Sequence, residues 1–134
     1  MAVKLETEAI RTMVTFEKIT KVHPKDCIIT EDMICFLVNP EKMGFAIGKG
    51  GSTIKEVSKI LGKPVKLFGY YNDPREFIKR VAPSAKSIEM NNGSVTISLP
   101  ASDKVALIGK NGNNIKALKT IISRHFHIKN VRVR

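Results

Sequence analysis

The sequence is poor in the residues that build disulfide frameworks, zinc sites and aromatic cores. Two of its 134 residues are cysteine, none is tryptophan, and only 6% are aromatic. Cys27 and Cys35 are too few for a disulfide framework, and together with His23, His125 and His127 they match no zinc spacing. Both cysteines fall in apolar runs and are predicted to be small core residues. We therefore expect no metal and no cofactor, and a core built mainly from Ile, Val, Leu and Met.

Long apolar runs are also missing. Residues 1–6 contain no apolar signal segment, and the chain has no stretch of about 18 apolar residues that could cross a membrane. The composition, with 43% apolar and 26% charged residues, is that of a folded chain rather than a disordered one. We expect a soluble, cytoplasmic protein without a membrane partner.

Acidic residues are scarce. The chain has 23 Lys and Arg residues against 12 Asp and Glu residues, which gives a net charge of +11. Residues 1–70 hold 11 basic and 8 acidic residues, residues 71–134 hold 12 and 4, and no acid follows Asp103. An excess of one sign attracts a polyanion such as RNA, DNA or an anionic membrane. On charge alone, a surface that serves only solubility explains the excess equally well.

The chain contains the same unit twice. The run IGKGGSTIK at residues 47–55 returns as IGKNGNNIK at residues 108–116, with six of nine positions identical. The same shift of 61 residues aligns the apolar run 34–38 with residues 95–99. A register held without gaps over this distance indicates a duplication. It predicts two domains, residues 1–70 and 71–134.

Each unit is predicted to follow the order helix, two strands, two helices, strand, which is an α+β fold. The first helix follows from a stripe of apolar residues at helical spacing, namely Leu5, Ala9, Met13 and Phe16. The predicted elements of the first unit cover residues 6–20, 27–29, 33–38, 40–47, 52–61 and 65–68. Those of the second unit cover residues 74–81, 87–90, 94–99, a short helix starting at Ser102-Asp103, 113–125 and 130–134.

Between the last two helices of each unit lies a Gly-x-x-Gly loop with lysine at its second position. Glycine lets a backbone approach a phosphate closely because no Cβ atom intrudes. The helix that follows presents free N–H groups and its positive dipole end to the same place. Lys49 and Lys110 add a mobile charge, and Lys55 and Lys116 follow about one turn later. This pattern predicts a grip on a phosphodiester backbone that does not read the bases.

The bases would then contact the surface beside the loops. Ile47 and Ile108 are candidates for an apolar groove, although their spacing also suits core residues. For Ile54, Val57 and Leu61 the core is the better interpretation. The candidate RNA-binding residues are Ile47, Gly48, Lys49, Gly50, Gly51, Lys55, Ile108, Gly109, Lys110, Asn111, Gly112 and Lys116.

Other phosphate-binding motifs do not fit the spacing. A Walker loop would need its first glycine one residue before Gly44, and a hydroxyl residue where Gly50 stands. A dinucleotide fingerprint that begins at Gly48 would need glycine in place of Thr53. No carboxylate pair repeats between the two units, and we see no catalytic constellation. We expect no enzyme and no small-molecule substrate.

The sequence resembles the NusA family of transcription elongation and termination factors, and its short archaeal members in particular, over essentially the whole chain. The resemblance implies two type II KH domains in tandem, each with a three-stranded mixed sheet covered by helices on one face. The residues that carry it are FEKIT at 16–20, KDCI at 25–28, GFAIGKGG at 44–51, DPREFI at 73–78 and IGKNG at 108–112.

The resemblance implies that both glycine loops hold the backbone of single-stranded RNA. One extended strand would cross both units, and each KH domain would hold about four nucleotides. It also implies a role in transcription elongation, termination or antitermination, with the nascent transcript as partner. RNA polymerase is a further candidate partner, although the chain has no room for the separate polymerase-binding domain of bacterial NusA. Two alternatives stay open: a KH protein of translation that binds ribosomal RNA, and an enzyme that binds nucleotide phosphates at the loops.

Overall fold

The computed structural model describes residues 2–134, with side chains from residue 7 onward. The chain divides into two compact units after Tyr70, and both units have the same order of elements. The first unit contains α1 (Ala2–Thr20), β1 (Asp26–Ile29), β2 (Ile34–Val38), α2 (Met43–Ile47), α3 (Ser52–Leu61) and β3 (Val65–Gly69). The second unit contains α4 (Pro74–Val81), β4 (Ser87–Asn91), β5 (Ser94–Ser98), α5 (Ala101–Ile108), α6 (Asn113–Phe126) and β6 (Asn130–Val133).

Each unit has a three-stranded mixed sheet, which confirms the predicted α+β class. In the first unit β2 is central, antiparallel to β1 with Cys27 opposite Phe36, and parallel to β3 with Phe36 opposite Leu67. In the second unit β5 takes the same place, antiparallel to β4 and parallel to β6. A parallel pair needs a crossover connection. In both units this crossover is the pair of helices that flanks the glycine loop.

Several predicted boundaries differ from the observed ones, most of them by a single residue. The first helix begins at Ala2 rather than near residue 6, because the intervening Val-Lys-Leu-Glu run contains good helix formers; the side chain of Leu5 lies outside the described residues. The predicted helix 40–47 splits into a 3-10 turn (Pro40–Lys42) and α2, and Lys42 at the break has φ of −100° and ψ of −6°. Asn39 caps the 3-10 turn, since its Oδ1 accepts a bond from Glu41 N at 2.9 Å. The helix α5 begins directly after Pro100, whose φ of −57° suits a helix start.

The core of the first unit lies between β2 and the helices. The rings of Phe16 and Phe36 stack with centroids 4.0 Å apart, and Val57 is fully buried in the same cluster. Ile54 and Leu61 are half-buried against this cluster, which confirms the prediction that they belong to the core. Aromatic rings thus occupy the centre of the core, although the low aromatic content predicted an aliphatic one.

In the second unit the core contains Phe77, whose ring lies 5.6 Å from that of Phe126, and buried residues of β5 and α6, including Ile97 and Ile121. Cys27 and Cys35 are both buried, as predicted for small core residues. Among the described residues no three His, Cys, Asp or Glu side chains gather as a metal would need. None of the described helices is both long enough and apolar enough to span a bilayer.

Candidate nucleic-acid interface

The two glycine loops have the same backbone conformation. Gly48 has φ 75° and ψ 172°, and Gly109 has φ 77° and ψ 174°. At the third position Gly50 (61°, 21°) and Asn111 (56°, 22°) agree within about five degrees. The last glycines, at positions 51 and 112, are left-handed in both loops, with φ of 77° and 71°. Asparagine is one of the few residues that adopts this region readily, so it substitutes for Gly50 without altering the loop.

The first glycine of each loop is required by packing within its own unit. A Cβ atom on Gly48 would collide with the side chain of Thr53 and lie 2.8 Å from Thr53 N. On Gly109 it would lie 2.6 Å from Asn114 Cβ. The missing side chain therefore leaves room for the helix that follows, a contact within the unit that the sequence had not indicated. Thr53 and Asn114 stand at the same position of the repeat, which is the signal that could have identified this contact.

The middle of each loop is open. A Cβ atom on Gly50 would meet no described atom within 4 Å, and one on Gly51 would reach only Lys55 Cε at 3.8 Å and Ile54 at 4.0 Å. A backbone hydrogen bond within each loop connects its last glycine to its first: Gly51 N donates to Gly48 O, and Gly112 N donates to Gly109 O, both at 3.1 Å. The outer face of the first loop is therefore accessible to a ligand, and in the second loop Lys110 and Asn111 are exposed at the same positions.

The second loop has additional side-chain support from α6. Asn113 Nδ2 donates to Lys110 O at 3.1 Å, and Asn114 Nδ2 donates to Leu107 O at 2.8 Å. These bonds join the first turn of α6 to the loop and to the end of α5. Both asparagines are buried. Neither asparagine was predicted to have a role, although the pair Asn113-Asn114 directly after the loop is typical of a helix start.

Positive charge surrounds both loops. The side chains of Lys49, Lys55, Lys110 and Lys116 are exposed. Each loop leads directly into the N-terminus of α3 or α6, and neither of these fully described helices has an acidic residue in its first turn. The positive end of each helix dipole is thus not neutralised from within the helix. An anion at either loop would be attracted by the lysines and by the helix terminus together.

Apolar side chains lie exposed just before the loops. Ile47 and Ile108, which end α2 and α5, are 39% and 36% exposed, so neither is an ordinary core residue. Phe45, two residues before Ile47, is 66% exposed and was not singled out by the sequence analysis. Between them Ala46 is fully buried. The short helix α2 therefore turns Ala46 toward the core and leaves its two larger neighbours in solvent.

Comparison with known proteins identifies the family. A family model described as a KH domain matches residues 9–71. The probable transcription termination protein NusA of Methanocaldococcus jannaschii is 32% identical over 98% of this chain and 75% of that protein. The corresponding protein of Methanococcus vannielii is 31% identical over 99% and 80%. The chain belongs to the NusA family.

Other similarities agree with this assignment. The NusA protein of Halococcus morrhuae is 28% identical over 98% of both chains. Among solved structures, the crystal structure of APE1850 superimposes with a TM-score of 0.77 at 33% identity, over 96% of this NusA-like chain and 99% of that one. The predicted NusA-like KH protein is thereby confirmed. None of these relatives is named as a ribosomal protein or an enzyme, so the comparisons favour neither alternative.

Proposed function

We propose that this NusA-like protein binds single-stranded RNA through both glycine loops and acts on the nascent transcript during elongation, termination or antitermination. The observation that carries the proposal is the agreement of the two loops. They lie 61 residues apart and share their dihedral angles, although their third residues differ. Each has an exposed lysine at its second position and an open outer face.

The phosphate groups of the RNA bind at the outer face of each loop. In the first unit a phosphate lies over Gly50 and Gly51, where no side chain bars its approach. Lys49 and Lys55 contribute charge from either side, and the dipole of α3 adds to the attraction. In the second unit Lys110, Lys116 and α6 do the same. This grip depends on charge and shape rather than on base identity, as is usual for contacts to the phosphate backbone.

The bases contact the apolar residues beside the loops. Ile47 and Ile108 are partly exposed at the same position of the two units, directly before the first glycine. A partly exposed aliphatic side chain beside a phosphate site offers an apolar surface to a base whose phosphate the loop holds. Unstacked bases of single strands are available for such contacts, whereas those of a duplex are not. We therefore propose a single-stranded ligand, and membership of the KH-domain family indicates RNA.

A single RNA molecule contacts both loops. Once one loop has bound, the second contact is intramolecular and takes place at a high effective concentration. Each KH domain holds about four nucleotides. Affinity should therefore rise steeply when the RNA becomes long enough to reach both loops. An enzyme that binds nucleotide phosphates would instead bind a mononucleotide with an affinity that extra length does not improve.

The site is tested by reversing its charge. We expect Lys49→Asp combined with Gly50→Asp to abolish most RNA binding, because two carboxylates then face the phosphate. Gly50 has a left-handed conformation that aspartate tolerates, and its Cβ would lie in open space, so the unit should still fold. The equivalent pair is Lys110→Asp with Asn111→Asp. Affinity is measured by fluorescence anisotropy with a labelled single-stranded RNA, and folding by circular dichroism.

The first unit offers a matched control at the other end of α3. Lys59→Asp with Gly62→Asp makes the same change of charge, again at an exposed lysine and a glycine of positive φ whose Cβ would meet no described atom within 4 Å. This control should retain most of the affinity. Wild-type affinity in both loop variants, or an equal loss in the control, would contradict the site. Crosslinking in cells separates the partners, since recovery of ribosomal RNA in place of nascent transcripts would favour a role in translation.

A further inference from the structure

A basic pocket with an exposed aromatic ring lies in the first unit. Its volume is about 690 Å3, and it is bordered by the end of α1, the residues before β1, the turn that precedes α2, and α2 itself. We name it the Phe45 pocket. The lining side chains that matter here are Lys21, His23, Lys25, Asn39, Lys42 and Phe45.

The charge of the Phe45 pocket favours an anion. Lys21, Lys25 and Lys42 are exposed cations on its wall. Lys25 Nζ lies 4.3 Å from the ring centroid of Tyr70, so an aromatic contact orients this ammonium group. Lys42 Nζ lies 5.6 Å from the ring centroid of Phe45 itself.

No acidic side chain is among the described residues that line the pocket, and Glu17, just outside the lining, lies beside the lining residue His23. Glu17 Oε1 contacts His23 Nδ1 at 2.9 Å, on the exposed side of α1. The three lysines therefore dominate the electrostatics of the pocket.

The wall of the pocket is held by a hydrogen-bonded turn. The buried hydroxyl of Thr20 donates to Phe16 O at 2.8 Å and accepts from Val22 N at 3.0 Å. Lys21, the residue directly after α1, has φ of 63°. The two hydrogen bonds of Thr20 lie on either side of it and define its backbone position. The backbone from which this lysine side chain extends is therefore fixed at the end of the helix.

The exposed ring of Phe45 is the second feature that needs an explanation. It is 66% exposed, whereas the neighbouring Ala46 is fully buried. A ring in this position contributes little to the core. An exposed aromatic face beside cations is the usual platform on which single-stranded nucleic acids stack a base. The lysines can bind a phosphate and the ring of Phe45 can stack on a base. The pocket therefore suits a nucleotide better than a simple anion, which has no base.

The second unit shows that the fold does not require this arrangement. At the shift of 61 residues, Lys21 corresponds to Ala82, Lys42 to Asp103 and Phe45 to Ala106. The second unit builds the same α-β-β-α-α-β order with these residues. The aromatic ring and two of the cations are thus particular to the first unit. The shared order of elements therefore does not depend on them.

We infer that the Phe45 pocket binds one further nucleotide of the RNA strand that the 48–51 loop holds. Its base stacks on Phe45, and its phosphate lies among Lys21, Lys25 and Lys42. This inference rests on the proposed function. Phe45 precedes Gly48 by three residues, which is roughly 5 Å along a helix, so a nucleotide adjacent to those at the loop reaches the ring. The first unit then holds a longer stretch of RNA than the second.

The test compares RNAs that differ by one nucleotide. A series of single strands is extended stepwise at the 5′ end and at the 3′ end, and the affinity of each is measured by anisotropy. In the wild-type protein one extension should raise the affinity at least about fivefold, the lower range of a stacked base. Phe45→Ala should remove this gain and leave the affinity for the shorter RNA unchanged, and Phe45→Tyr should restore it. Ile60→Ala, at an exposed apolar residue of α3 outside the pocket, should have no effect.

The outcomes separate this inference from the proposed function. If RNA of any length fails to bind the wild-type protein, the proposed function fails. If RNA binds but Phe45→Ala keeps the gain from the extension, or weakens all lengths equally, only the pocket is wrong. Displacement of the extended RNA by an acidic peptide, together with no gain from any extension, would assign the pocket to a protein partner and overturn the inference.

A spectroscopic measurement gives an independent answer. Because the chain has no tryptophan, Phe45→Trp introduces a single indole at the mouth of the pocket. Stacking of a base should quench its fluorescence when the extended RNA saturates the protein, and the shorter RNA should leave the emission nearly unchanged. Equal emission with both RNAs would overturn the inference.

Discussion

Replacing Gly48 by alanine tests whether the loop is positioned by the packing of α3 rather than by any ligand. Gly48 has φ of 75° and ψ of 172°, a region that is essentially limited to glycine. Its Cβ would lie 2.8 Å from Thr53 N, a backbone atom that cannot move without moving the start of α3. The variant must therefore distort the dihedral angles, displace the helix, or do both.

The expected loss of stability follows from these two contributions. Holding a residue with a side chain in this region costs about 1–3 kcal/mol. Crowding a packed contact costs roughly another 1–3 kcal/mol. Since the structure will relax to reduce both, we expect a loss of about 3 kcal/mol, a large fraction of the 5–15 kcal/mol that typically stabilises a domain.

A glycine four residues earlier is the matched control. A Cβ atom on Gly44 would meet no described atom within 4 Å, and this residue lies in α2 without a positive φ. Gly44→Ala should therefore stabilise the first unit by roughly 0.5–1 kcal/mol. Urea unfolding followed by circular dichroism measures both variants, and RNA affinity is measured without denaturant. A Gly48→Ala protein within about 0.5 kcal/mol of the wild type would refute the reasoning, because that is the range of surface changes.

Two further predictions concern charge and the buried thiol. Lys55→Ala and Lys116→Ala should each make RNA affinity less dependent on salt, so that the magnitude of the slope of log K against log salt concentration falls by about 0.7. Titrations at several KCl concentrations measure this slope. An unchanged slope would show that the substituted lysine does not contact the RNA backbone. Burial raises the pKa of Cys35 to about 11 from an ordinary 9.0, with Lys66 opposing the shift. The contribution of the neutral thiol to the free energy of unfolding should therefore be complete below pH 9 and be lost as the pH rises toward 11. Urea unfolding at each pH measures this, and the free energy of unfolding of Cys35→Ala should fall less over this pH range than that of the wild type.

The sequence predicted the elements that depend on local signals. Asp73-Pro74 predicted a helix start, and Asp73 Oδ1 accepts a bond from Arg75 N at 3.2 Å. Gly62 was expected to stop a helix, and it caps α3 with φ of 75°. These signals are strong because a cap needs only the residue itself and its neighbours along the chain. Because the two units are repeats, the elements predicted in one unit also predicted the elements of the other.

What the sequence could not provide was the direction in which a residue faces. The pattern Gly-x-x-Gly suggested that both glycines make room for a phosphate, yet the first of them makes room for Thr53 or Asn114. Phe45 could not be told from a core residue, because α2 is too short for an apolar period to show which side is buried. Both features depend on the placement of one element against another, which single-sequence patterns do not encode.

The parallel pairing of β2 with β3 has a consequence for when the protein becomes active. The 48–51 loop lies in the middle of the connection between these strands, and β3 is the last element of its unit to leave the ribosome. Until Val65–Gly69 has paired with β2, α3 packs against α1 and α2, but the far end of the connection lacks its hydrogen bonds to the sheet. A nascent or truncated chain that stops before residue 65 should therefore hold the loop less firmly and bind RNA more weakly, even though it already contains every residue of the loop. We expect RNA affinity to reach its full value only after the final strand has been synthesised.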